Sequence, residues 1–156
     1  MKKTILRGLN VRGILPFLGL AVAAFLVRIP YFLNPNAFNS DHAIVGLQAR
    51  HLLRGEWAWF LWGCDYQAVF EPLLTAVAFL FVPTMADAML VVGFVGFLLA
   101  IFLSFSNLEK FIGAGKALLA TLFIVFTAEP TLWQTVYPPR IWAVTFVFFS
   151  VWLVVR

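Results

Sequence analysis

The stretch AMLVVGFVGFLLAIFLSF, residues 88–105, contains 18 consecutive residues and no charged side chain. At about 1.5 Å of rise per helical residue, such a run approaches the ~30 Å thickness of a bilayer's hydrocarbon core. Its apolar residues form a continuous run and show neither the strand nor the helix period of a half-buried element. The stretch therefore predicts a membrane-spanning helix, which we place at residues 86–106.

The composition of the whole chain agrees with a membrane protein. Hydrophobic residues make up 63% of the 156 residues and charged residues 12%, whereas soluble domains average about 45–50% apolar and 25% charged residues. The net charge of +4 comes from basic residues spread over loops and segment ends, so we expect no nucleic-acid partner. The single cysteine excludes an internal disulfide. The predicted fold class is all-α, a polytopic membrane helix bundle forming a single module over residues 1–156.

Three further apolar runs predict additional spans, at residues 14–33, 117–134 and 141–155. Four spans with both ends inside would place seven basic residues on the cytoplasmic side, as the positive-inside rule favours. These residues are Lys2, Lys3, Arg7, Arg12, Lys110, Lys116 and Arg156. The location we expect is the membrane as a multi-pass protein, specifically a bacterial inner (plasma) membrane with the 34–85 loop outside.

Two topological alternatives stay open. The basic start and the small residues Ala21 to Ala24 also fit a cleaved signal peptide; we favour a retained helix because the apolar run continues to Leu33. Residues Pro72–Val82 would, as a full span, put Lys110 and Lys116 outside. With about a dozen residues, this run better fits a juxtamembrane helix, which we place at residues 72–83.

The 34–85 loop contains a second predicted helix. Asn39, Ser40 and Asp41 are good helix N-caps and Gly55 is a good stop, which predicts a helix at residues 41–54. The tryptophans that follow it suit a membrane interface. They are Trp57, Trp59 and Trp62.

The segment SDHAIVGLQARHLLRGE, residues 40–56, resembles the first outer loop of the GT-C membrane glycosyltransferases. The likeness is to the branch of dolichyl-phosphate-mannose–protein mannosyltransferases and bacterial lipid A aminoarabinose transferases. In those enzymes an acid opens a helix that ends in a Leu-Leu-x-Gly-like stretch, and a Tyr and a Glu precede a short apolar helix. Tyr66 and Glu71 are in the corresponding positions here. Two departures are His42, where members often have a second acid, and the length, since members have several hundred residues.

The resemblance implies transfer of a sugar from a polyprenyl phosphate to an acceptor hydroxyl on the outer face. Asp41 would be the catalytic base, although an N-cap explains it equally well from sequence. Glu71 would orient the acceptor, or only favour a helix N-terminus. Substrate or phosphate binding is expected of His42, Arg50, Tyr66 and Arg140.

The partners expected are a polyprenyl-phosphate-linked sugar, the lipid bilayer, an acceptor and a partner subunit. No cofactor is expected; the alternative is a divalent metal held by His42 and His51 with Asp41 or Glu71. We expect the chain to be incomplete relative to the family and too short to be active alone. The alternative function is a non-catalytic membrane scaffold or subunit of a larger complex, packing through its aromatic-rich spans.

Overall fold

The computed structural model describes residues 11–34, 39–127, 136 and 140–155, with side chains from residue 14 onward. This part of the chain is mostly helical, as predicted, and also contains two short strands. In chain order the elements are α1 (Val11–Leu33), α2 (Ser40–Leu53), β1 (Phe60–Leu61), β2 (Cys64–Ala68), α3 (Phe70–Ala78), α4 (Met85–Ile112), α5 (Ala114–Val125) and α6 (Ile141–Val155).

Two of these helices are long and apolar enough to cross a membrane, α1 over residues 14–33 and α4 over residues 85–112. The other two apolar helices, α5 and α6, have 12 and 15 residues, fewer than the ~20 that a span needs. Residues 128–134 of the predicted third span lie outside the described residues. The same holds for residues 1–10, which include the basic Lys2, Lys3 and Arg7. Membrane association therefore has support from α1 and α4, and the four-span bundle stays a prediction.

Helix α4 is longer than the span predicted for it. Thr84 caps its start by accepting a hydrogen bond from the Asp87 backbone N–H at 3.1 Å. At the other end the helix continues past Asn107, whose side-chain amide donates to the Phe148 carbonyl at 3.0 Å. This hydrogen bond pairs the side-chain NH2 group of Asn107, and the helix does not end at this polar residue. Gly113 does so with φ +80°, a conformation that favours glycine.

Helix α4 is also the centre of the packing, because it contacts each of the other five helices in the described part of the chain. Its closest neighbour is α6, where the Thr145 hydroxyl donates to the Gly96 carbonyl at 2.9 Å and the Trp142 indole N–H donates to the Val92 carbonyl at 3.2 Å. A Cβ at Gly96 would be 3.0 Å from the Trp142 ring. A small residue and side-chain hydrogen bonds thus bring the two helices together, as in membrane bundles.

The apolar run of α1 includes a charged residue, Arg28, that is fully buried. Its guanidinium carbon lies 3.6 Å from the centroid of the Phe97 ring on α4, and its Nη1 donates to the Ala24 carbonyl at 3.2 Å. A cation over an aromatic face and a carbonyl acceptor both stabilise a desolvated guanidinium. These contacts explain how α1 continues through Arg28 to Leu33.

Two features of the 34–85 loop differ from the sequence prediction. Helix α3 has nine residues and ends at Ala78, well before the predicted residue 83. At about 14 Å long it cannot cross a bilayer. The all-α prediction was wrong between α2 and α3, where β1 and β2 form an antiparallel hairpin. Gly63 makes its turn with φ +75°.

Candidate active site

The first turn of α2 positions Asp41. The helix is capped by Asn39, whose side-chain oxygen accepts from the His42 backbone N–H at 3.2 Å. The Asn39 N–H in turn donates to Nδ1 of His42 at 3.1 Å. Asn39, not Asp41, is therefore the N-cap, and the carboxylate of Asp41 is exposed two residues further on. The sequence allowed Asp41 to be the N-cap, but Asn39 has this role.

His42 has a structural place in this turn. Its side chain is buried, and burial lowers its pKa from 6.5 to about 4, with the nearby Arg140 acting in the same direction and Asp41 opposing. The ring is therefore neutral at pH 7, with its proton on Nε2 because Nδ1 accepts a hydrogen bond. His42 thus stabilises the start of α2, and the substrate binding that we expected of it stays a prediction.

The β1–β2 hairpin is attached to α2 by Gln48. The buried side-chain amide donates to the Phe60 carbonyl at 2.8 Å and accepts from the Trp62 N–H at 3.1 Å. Gln48 is fully buried, so both of its hydrogen bonds lie away from water, where an unpaired polar group is costly. Sequence reasoning missed Gln48 as a site-forming residue because nothing in the sequence revealed the hairpin.

A cleft of about 490 Å³ lies between α2, the hairpin and the start of α6. Three of the predicted site residues from distant parts of the chain come together in its wall. They are Asp41, Tyr66 and Arg140. The rest of the wall is formed by Ile44, Leu61, Trp62, Cys64, Gln67 and Ala143.

The two charged residues of the cleft have opposite sign and are both exposed. Arg140 directly precedes α6, and Asp41 lies in the first turn of α2. Within the described residues neither side chain forms an ion pair. The cleft thus presents a carboxylate that can accept a proton and a guanidinium that can hold an anion.

Glu71 occupies a different pocket. Its side chain is 4% exposed and lies beside a pocket of about 130 Å³ whose wall includes Trp142 and Phe146. Gln67 donates to Oε2 at 3.2 Å, and no described residue donates a hydrogen bond of ordinary geometry to Oε1. Glu71 therefore does not face Asp41 across one cleft. Gln67 and Ala143 line both cavities and separate them.

Burial raises the pKa of Glu71 from 4.5 to about 7. The Trp142 backbone N–H and the Gln67 amide oppose this shift by favouring the charged form. The Trp142 N–H acts electrostatically, since it makes no hydrogen bond of ordinary length and angle with Oε1. A carboxyl group with this pKa can both donate and accept a proton near neutral pH.

Two remaining candidates lie away from the cleft. The guanidinium of Arg50 is over the Phe79 ring, 5.7 Å from its centroid, and Arg50 does not line the cleft. His51 pairs with Glu56 at 2.5 Å between Nδ1 and Oε2. Among the residues that the structure describes, no group of three or more His, Cys, Asp and Glu side chains could hold a metal ion.

No protein-family model, no curated protein and no solved structure matches this chain. The chemical roles of the cleft residues therefore rest on their own geometry. They rest also on the resemblance of residues 40–56, Tyr66 and Glu71 to the GT-C membrane glycosyltransferases.

Replacement of Gln48 by Met will loosen the hairpin. The change leaves the Phe60 carbonyl and the Trp62 N–H without their partner, at a cost of about 1–3 kcal/mol for each buried group. We expect the Trp62 backbone amide to exchange its hydrogen at least about tenfold faster than in the wild type, as measured by hydrogen–deuterium exchange. Leu47→Met, at an exposed neighbouring position, is the control and should leave the exchange unchanged. Unaltered exchange in Gln48→Met would show that the amide does not hold the hairpin.

Replacement of Glu71 by Gln will remove a pH dependence of stability. The folded protein retains a proton on Glu71 up to a pKa of about 7, and the unfolded chain loses it at about 4.5. The wild type therefore loses stability, by about 3 kcal/mol in all, as the pH rises through this window. His42 acts oppositely, since its lowered pKa adds stability as the pH rises from about 4 to 6.5. The quantity to measure is thus the difference in free energy of unfolding between variant and wild type.

Between pH 4.5 and pH 7, the free energy of unfolding of Glu71→Gln should increase relative to that of the wild type. Above pH 7 the difference should stay constant. The control is Asp65→Asn, at an exposed position, which should show a constant difference from the wild type. A pH-independent difference for Glu71→Gln would mean that Glu71 is ionised throughout the range.

Proposed function

We propose that this chain is the N-terminal membrane module of a glycosyltransferase that transfers a sugar from a polyprenyl-phosphate donor to an acceptor hydroxyl. The observation that carries the proposal is the cleft in which Asp41, Tyr66 and Arg140 meet. The sequence predicts a site role for each of the three, two of them through the family resemblance. They come from α2, the hairpin and the residue before α6.

The proposed reaction needs a proton acceptor and a cation. The acceptor oxygen attacks the anomeric carbon of the sugar, the bond from that carbon to the phosphate oxygen breaks, and polyprenyl phosphate leaves. The proton of the acceptor hydroxyl passes to the carboxylate of Asp41. Arg140 stabilises the departing phosphate through charge-assisted hydrogen bonds, which guanidinium groups form well with phosphate.

Glu71 supports the acceptor side of this reaction. Its pocket adjoins the cleft through Gln67, whose amide also contacts the Glu71 carboxylate. In its protonated form, Glu71 can donate a hydrogen bond to an acceptor hydroxyl that reaches this pocket. Its role in the proposal is to position the acceptor, while Asp41 removes the proton.

The exposed apolar surface supports a membrane setting. Along α1, the side chains of Leu15, Val22 and Leu26 are 74%, 58% and 57% exposed. Large apolar side chains arranged along a helix are stable against lipid and costly in water. We place the protein in a bacterial plasma membrane with four spans, and the cleft on the outer face.

A second function, that of a non-catalytic membrane subunit, is favoured by a different observation. Apolar side chains on α5 and α6, such as Phe123 at 81% and Val154 at 87% exposed, offer a face for partner helices. This function needs no charged cleft, so it leaves the meeting of Asp41 and Arg140 without an explanation. The glycosyltransferase function predicts binding of a polyprenyl-phosphate donor and the subunit function does not, so donor binding discriminates between the two.

The proposal predicts separate effects for the two charged residues. In the complete glycosyltransferase that contains this module, Asp41→Asn should lower sugar transfer by at least about 100-fold and leave the binding of polyprenyl phosphate unchanged, because the base acts in the chemical step. Arg140→Gln should weaken that binding by about tenfold or more. Native mass spectrometry measures binding to the membrane protein, and the release of radiolabelled sugar from its lipid carrier measures transfer.

The matched controls are Asp65→Asn and Arg54→Gln, which change exposed residues outside the cleft. Both should retain wild-type binding and transfer. A wild-type protein that binds no polyprenyl phosphate would contradict the glycosyltransferase function and favour the subunit.

A further inference from the structure

Three aromatic rings line the small pocket of about 130 Å³ beside Glu71. They belong to Phe70, the first residue of α3, and to Trp142 and Phe146 near the start of α6. The centroid of the Phe70 ring lies 5.6 Å from that of Trp142 and 5.0 Å from that of Phe146, with the rings inclined at 72° and 61°. Such edge-to-face contacts favour a fixed arrangement of the rings. Two helices thus form a wall that consists largely of aromatic carbon.

The carboxyl group of Glu71 is the one ionisable group among the described residues of this wall. Its side chain is 4% exposed, and within the described part of the chain no donor of ordinary geometry reaches Oε1. A buried oxygen of this kind needs a partner, which a ligand in the pocket can supply. The pocket therefore combines one acidic group with aromatic walls.

A carboxylate beside aromatic rings is suited to an organic cation, because the face of an aromatic ring attracts positive charge. A primary ammonium group has three N–H donors, and the described side chains of this wall offer acceptor oxygens only from Glu71 and Gln67. A quaternary ammonium group has no N–H donor to satisfy, and its methyl groups pack on aromatic carbon. A cavity of about 150 Å³ holds benzene, so this pocket is large enough for a trimethylammonium group.

The protonation state of Glu71 is compatible with such a cation. Burial raises its pKa to about 7, so the ionised and protonated forms are both populated near neutral pH. A positive charge within about 4–6 Å favours the ionised form. A hydroxyl group would bind to the protonated form of Glu71, and an ammonium group would bind to the ionised form.

We propose that the Glu71 pocket binds a quaternary ammonium group between the carboxylate of Glu71 and the rings of Phe70, Trp142 and Phe146. This inference goes beyond the proposed function, because it involves neither a sugar nor a polyprenyl phosphate. Two sources supply a group of this chemistry. One is a soluble compound, and the other is the choline headgroup of a phospholipid.

The test compares choline with its uncharged carbon isostere, 3,3-dimethylbutan-1-ol. The two probes have nearly the same shape and differ in the charge of the branched centre. Binding of radiolabelled choline to the whole chain in an uncharged maltoside detergent gives its affinity, and competition gives the affinities of the isostere and of ethanolamine. Choline should bind at least about tenfold more tightly than the isostere. It should also bind more tightly than ethanolamine, which has a primary ammonium group.

Two variants test the two parts of the pocket separately. Glu71→Gln keeps the size of the side chain and removes its charge, so it should weaken choline binding at least about tenfold. Phe146→Leu removes one ring at a position that is 45% exposed, and it should weaken choline binding about threefold or more. The matched controls are Asp65→Asn, at an exposed position, and Phe149→Leu, which is 43% exposed on the same helix and outside the pocket. Neither control should change the affinity.

Competition by phospholipids identifies the source of the ammonium group. Displacement of choline by phosphatidylcholine, and not by phosphatidylglycerol, would support the inference with a lipid headgroup as the ligand. Choline binding that neither lipid displaces would support it with a soluble ligand.

Three results would overturn the inference. They are equal affinities for choline and the isostere, tighter binding of ethanolamine than of choline, and unchanged choline binding in Glu71→Gln with a thermal midpoint like that of the wild type. Absence of polyprenyl phosphate binding would contradict the proposed function and leave the ammonium site standing, so the two failures are distinguishable.

Discussion

The buried amide of Gln48 is the interaction on which the candidate site depends. It pairs with the carbonyl of Phe60 and the N–H of Trp62, so it satisfies the hairpin backbone at the point where the hairpin meets α2. This attachment holds Tyr66 and Gln67 opposite Asp41, together with the hydrogen bond that Gln67 donates to Glu71. A short hairpin is only marginally stable alone. Its attachment to α2 therefore helps to hold the hairpin in place as a wall of the cleft.

Asp41 and Glu71 both belong to the 34–85 loop, but their carboxyl groups have different environments. Asp41 projects into an open cleft from the first turn of α2, since Asn39 performs the capping. Glu71 is buried at the start of α3, where the apolar rings of α6 exclude water and raise its pKa to about 7. Under the proposed function, these different surroundings suit Asp41 to act as a base and Glu71 to act as a hydrogen-bond donor.

The sequence predicted those elements that have strong local signals. Long apolar runs predicted α1 and α4, and the polar caps around residues 39–55 predicted α2 within one residue at each end. The hairpin was missed because its strands contain only two and five residues, too few for a clear alternation. The meeting of Asp41, Tyr66 and Arg140 depends on tertiary packing, and the capping bond between His42 and Asn39 is likewise visible only in the fold.

The accessibility of Cys64 tests the central claim most directly, because this sole cysteine lines the cleft. A membrane-impermeant maleimide would be applied to intact cells or right-side-out vesicles, with and without added polyprenyl phosphate. A cleft that faces outward and binds this lipid predicts labelling from outside that polyprenyl phosphate suppresses and phosphatidylglycerol does not. Labelling that requires permeabilised membranes, or that polyprenyl phosphate leaves unchanged, would contradict the account.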